Sequence, residues 1–187
     1  MHGPVLPGWL LVALGGITGA YCLLRLRRCS GDARRAAGDE ALMGLGMAVM
    51  AVPAAVLTLP RWTWTGYAAV FGCAALASLW AARRGAHHLH HLVGSLAMAY
   101  MAVAMARPGG GATGHGGHAP AEAAASAGMP LLTGALLAYY AVYVVRSGIR
   151  LVPARAGAPP AATPLPELLP ACRLAMGLGM LAMLAAL

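Results

Sequence analysis

The chain is built from apolar runs of about 20 residues, divided by short polar or proline-rich stretches, and arginines gather at every second division. A run of that length, wound as a helix, matches the thickness of a bilayer core, so the runs predict membrane-spanning helices. Only 10% of the residues are charged and the mean hydropathy is +0.70, too little polar surface to clothe a water-soluble domain. The expected fold is all-α: a polytopic membrane protein with a single membrane domain over residues 1–187. Its six transmembrane helices are placed at 6–26, 40–59, 65–82, 89–106, 129–151 and 168–187 and read as three hairpin repeats in series. A flexible Gly/Ala/Ser connection fills 109–128 and a proline-rich linker fills 153–166. Gly15, Gly16 and Gly19 form a small-residue face for close packing. Pro53 is expected to kink the second helix, and Asp39 and Glu40 to stand at its N-terminus. Trp62 and Trp64 resemble an interfacial belt.

The net charge of +8 reads as orientation. Ten arginines lie at or after the ends of helices one, three and five, and only Arg61 and Arg107 follow helices two and four. By the positive-inside rule both termini face outward, the His115–His118 loop faces outward and the His87–His91 cluster faces inward, in a bacterial cytoplasmic (inner) membrane. Met1 to Gly8 has no basic region, so the first run reads as an uncleaved helix. Cys22, Cys29, Cys73 and Cys172 show no CxxC spacing and imply no disulfide framework.

A repeat runs through the even helices. Met43-Gly44-Leu45-Gly46-Met47 recurs letter for letter as Met176-Gly177-Leu178-Gly179-Met180, and each copy has a further methionine three residues on, at Met50 and Met183. Met98 and Met101 repeat the spacing of Met47 and Met50 in the fourth helix. In that register Glu40, His91 and Arg173 are equivalent. Eleven methionines in 187 residues make the pattern stand out. Met43, Met47 and Met50 share one helix face, as do Met176, Met180 and Met183, and as do Met98, Met101 and Met105. If the three even helices stand side by side, Met47, Met98 and Met180 form one thioether layer. Met50, Met101 and Met183 form the next, about 4.5 Å along the axis. Thioether sulfur is a soft, neutral donor suited to Cu(I), and stacked weak sites suit conduction. Methionine also fills irregular gaps between helices, so the stripe has a packing reading beside the ligand reading.

Other donors are secondary. His91 forms i, i+3 and i, i+4 pairs with His88 and His87, a spacing that chelates divalent metals. His115 and His118 lie in the outer loop, and His2 near the N-terminus. Cys172, beside Arg173, is a candidate thiolate for Cu(I) release. Glu40, His91 and Arg173 are ionisable groups at one mouth of the bundle, with Glu40 expected to pair with Arg173. The chain has no Walker loop, HExxH motif, nucleophile elbow or nucleic-acid module, and its five acids leave little for hydrolysis, so no enzyme activity is expected.

Over Glu40–Met50, His91–Met101 and Arg173–Met183 the chain resembles a family of small actinobacterial membrane proteins of unknown function, which implies a membrane location. The Met-x-x-x-Met helix face is similar to that of the trimeric Ctr-type copper transporters, a likeness of site chemistry confined to one face. The leading expectation is an integral membrane protein that binds or conducts Cu(I) through the methionine cluster, with a metal donor or acceptor protein as partner. One alternative is a non-catalytic accessory subunit that uses methionine for packing. The other is a b-type haem electron carrier with His88 or His91 as axial ligand. The sequence leaves the oligomeric state open.

Overall fold

The structure is a computed structural model that describes residues 5–52, 56, 59–82, 89–107, 129–151 and 165–187. It is all-α, with six helices in this order: α1 (Val5–Leu26), α2 (Gly31–Met50), α3 (Arg61–Ala82), α4 (Leu89–Ala106), α5 (Pro130–Leu151) and α6 (Leu165–Ala185). Each odd helix packs most extensively on the even helix that follows it. Between the pairs, α1 and α2 both touch α6, α2 touches α4, and α4 meets α5 through His90–Tyr139 and Tyr100–Thr133.

Four helices, α1, α3, α4 and α5, are long and apolar enough to cross a membrane. Their outward faces carry large apolar side chains such as Ile17, Leu76, Trp80 and Ile149, while Glu40, His91 and Ser95 are buried. This inverts the pattern of a soluble protein and matches a bundle solvated by lipid. α6 has a shorter apolar segment, Pro170–Ala185. α2 carries Asp32, Arg34, Arg35, Asp39 and Glu40 in its first ten residues.

α2 departs from the 40–59 expected of the second helix. It begins at Gly31, because Ala33, Arg34, Arg35, Ala36 and Ala37 are strong helix formers and Asp32 complements the first turn. Its early part is held by burial: Ala37 and Ala41 are almost fully enclosed. Glu40 is therefore a mid-helix residue. The helix stops at Met50, with Ala51 N–H donating to the Met47 carbonyl at 2.9 Å. The kink expected at Pro53 therefore lies beyond the end of this helix. Pro53 itself, the 109–128 connection and the 153–166 linker lie outside the described residues or largely so.

Close backbone approach sets the α1–α2 pair. A Cβ added at Gly44 would lie 2.8 Å from the Gly19 nitrogen and 3.0 Å from the Gly15 oxygen. One added at Gly15 would lie 2.7 Å from the Gly44 oxygen. These are backbone atoms, which cannot rotate away. Gly16, expected on the same face, meets nothing within 4 Å, because it lies about 100° round the helix from Gly15. Gly44→Ala is expected to cost about 2 kcal/mol through overpacking. Gly16→Ala should be neutral or stabilising by about 0.5 kcal/mol. Thermal unfolding of the two variants in detergent measures the difference, and equal midpoints would refute the assigned contact.

Candidate functional site

The eight methionines of the repeat form one buried cluster. Met43, Met47, Met50, Met98, Met101, Met176, Met180 and Met183 all belong to the central core, together with Phe71, Ala97, Ala102, Tyr140 and Leu184. Met98 and Met180 are wholly enclosed and Met47 nearly so. Met105 is only partly buried and stands at the margin. Each helix turns the same stripe inward because the spacing of seven residues from first to third methionine returns to one face.

Glycines form seats for the methionine tips. A Cβ at Gly179 of α6 would lie 3.3 Å from the Met47 sulfur. One at Gly46 of α2 would lie 3.0 Å from the Met98 methyl. Thus α4 places Met98 against α2, and α2 places Met47 against α6. The register assigns Ala97, fully buried, as the corresponding small residue of α4. One position breaks the pattern. Where α2 and α6 have Met43 and Met176, α4 has Gly94, and the Met43 methyl fills the notch this leaves.

An aromatic collar surrounds the thioethers. Tyr67 and Phe71 of α3 lie with ring centroids 4.8 Å apart, and Trp64 meets Tyr67 edge-on at 6.3 Å. Both rings of the closer pair flank Gly46 beside the Met98 methyl, the contact geometry in which sulfur-bearing side chains and aromatics attract. Trp62 points outward, whereas Trp64 packs against the core, so only the first suits the expected belt. Trp64, Tyr67 and Phe71 share one face through their i, i+3, i+7 spacing, which the uniform apolarity of the helix does not mark out. On α5, Tyr139 and Tyr143 hold His90: the Tyr139 hydroxyl lies 3.1 Å from His90 Nδ1, and the Tyr143 ring stacks on the imidazole at 4.0 Å.

At the polar end, Glu40 is 1% exposed and is a hub between helices. Arg173 Nε of α6 donates to its Oε1 at 2.7 Å. Arg25 Nη1 of α1 lies 3.7 Å from Oε2, and the Cys22 thiol is directed at the same oxygen at 3.7 Å. The expected Glu40–Arg173 pair is formed. Burial excludes simple snorkelling for the carboxylate, while Arg173 keeps part of its side chain exposed. Sequence reading missed Arg25 and Cys22, which lie 15 and 18 residues before Glu40 on the neighbouring helix α1. His91, the third register-equivalent residue, is buried on α4.

Most of the secondary donors lie outside the described residues. Among the described residues no group of three or more His, Cys, Asp or Glu side chains is arranged to hold a metal ion. His90 and His91 both stand on α4, and the other candidate histidines, His2, His87, His88, His115 and His118, lie outside the described residues. Cys172 is a free, partly buried cysteine near the polar hub.

The family model for a domain of unknown function, DUF5134, matches residues 32–187. The chain belongs to the DUF5134 family. The matched segment takes in α2 through α6, and so all three methionine stripes and the Glu40–Arg173 pair. No curated protein and no solved structure matches the chain.

If Glu40 joins α2 to α6, its two ends must be energetically coupled. Arg173→Gln should destabilise by about 2 kcal/mol, below the usual cost of breaking a fully buried pair because Arg173 is partly solvated. Adding Glu40→Gln should restore part of that loss, giving a coupling of about 1 kcal/mol in a double-mutant cycle. Additive losses from the two changes would remove the pair from the bundle's stability.

Proposed function

We propose that the protein is a bacterial inner-membrane protein of six spans, three hairpins in series with both termini outside, which binds Cu(I) in its thioether layers. The observation that carries the reading is the convergence of eight register-equivalent methionines from α2, α4 and α6 into one enclosed cluster. Soft neutral sulfur favours a soft monovalent ion, with the Tyr67 and Tyr140 hydroxyls as the harder donors beside the cluster, and Met47, Met98 and Met180 are the core ligands. Met50, Met101, Met183, Met43 and Met176 extend the donor set along the axis. The six-span topology draws on the arginine asymmetry and on the pairing of each odd helix with the next. α2 enters the apolar layer because its buried carboxylate is matched by two guanidinium groups.

Two arginines around one carboxylate leave the polar end net positive. That charge opposes free passage of a cation and favours retention over open conduction. Delivery or withdrawal of the ion then calls for a partner protein that carries copper to the mouth.

A second reading is carried by the seats. Met47 against Gly179, Met98 against Gly46 and Met43 in the notch at Gly94 are well-filled contacts, as an accessory subunit with methionine used only for packing would have.

Copper content separates the two. The detergent-purified protein, loaded with Cu(I) under reducing conditions, is expected to hold stoichiometric copper. The combined variant Met47→Leu, Met98→Leu, Met180→Leu should lose it while keeping its helicity, since leucine conserves volume at a cost under about 1.5 kcal/mol per site. Equal copper in both proteins, or none in either, would leave the packing reading standing.

A further inference from the structure

Away from the methionines, the arginine-rich end of the bundle contains a cavity of about 620 Å³ between the end of α1, the first half of α2 and the end of α3. Its lining joins apolar Leu26 and Ala77 to Arg34, Arg35, Asp39 and Ser78. The volume is that of a small-molecule pocket. We infer that this cavity is a binding site for an anionic phospholipid, with the phosphodiester at Arg34, Arg35 and Ser78 and the start of an acyl chain against Leu26 and Ala77.

Three observations support the assignment. Ser78 is 6% exposed and lines the cavity. Its hydroxyl is a donor at the cavity wall, and a phosphate oxygen is a strong acceptor for it. Arg34 has no acidic partner among the described residues, and the Arg35–Asp32 bridge, 3.7 Å long with both side chains exposed, is a weak competitor. Asp39 also lines the cavity, so the two arginines hold an anion there with help from the apolar wall. That combination of a basic rim and an apolar floor between helix ends describes a lipid headgroup joined to its chain better than free phosphate. The floor remains open because the residues facing it are small: a Cβ at Gly38 would meet only the tip of Leu26, and one at Gly31 nothing within 4 Å.

The full-length protein, delipidated in neutral detergent, is titrated with phosphatidylglycerol or phosphatidylcholine and read by native mass spectrometry. Wild type should prefer phosphatidylglycerol, and each of Arg34→Gln and Arg35→Gln should weaken its binding roughly fivefold. The double variant should lose the preference, with helicity unchanged because both side chains are exposed. Ala77→Leu, an exposed position, narrows the cavity and should weaken both lipids. Equal affinity of wild type for the two lipids would overturn the proposal, as would a retained preference in the double variant. Displacement of phosphatidylglycerol by an equal concentration of glycerol phosphate would also overturn it, since the site would then read phosphate alone.

Discussion

Helices in a lipid environment gain little from hiding apolar surface from one another, because the lipid is as apolar as they are. Shape and a few polar contacts must hold them. In this bundle the shape is supplied by glycine. The backbones of α1 and α2 meet at Gly15, Gly19 and Gly44, closer than any side chain would permit. That contact fixes α2 in the middle of the molecule, and α2 in turn is the helix that both α4 and α6 touch. The methionine cluster is built on another face of the same helix, where Met43, Met47 and Met50 join the other two stripes.

Polar interactions add direction to this packing. Glu40 receives Arg25 from α1 and Arg173 from α6, so one buried carboxylate ties the first hairpin to the last at a single depth. A buried charge that loses its partners is far more costly in lipid than in water. The pair therefore penalises any sliding of α6 along α2. The ion pair and the methionine cluster thus both depend on how α2 and α6 align, although seven residues separate Glu40 from Met47 on the helix.

Much of this was legible in the sequence. The exact recurrence of Met-Gly-Leu-Gly-Met and the matching of Glu40 with Arg173 identified the residues that the fold brings together, because a repeat that preserves face and depth leaves few ways to pack. The start of α2 was misread. Gly31–Asp39 is polar and looks like a loop, yet its alanines and arginines favour a helix, and burial of Ala37 against α1 decides the matter. The hub residues Cys22 and Arg25 could not be read at all, since pairing across a hairpin depends on its turn, and the turn was placed wrongly. The aromatic seats at Tyr67 and Phe71 were invisible for a different reason: in a helix that is apolar all round, hydrophobicity does not mark the inner face.

The notch at Gly94 bears on how the three units relate. Met43 reaches into it, occupying space that the equivalent methionine of α4 would otherwise fill. A gap on one helix is thus filled by a side chain of another. Units that have exchanged volume in this way are no longer interchangeable: a chain spliced from three copies of the first hairpin would bring two methionines into one space. Whatever their origin, the three have become parts of one object, each shaped by the irregularities of its neighbours.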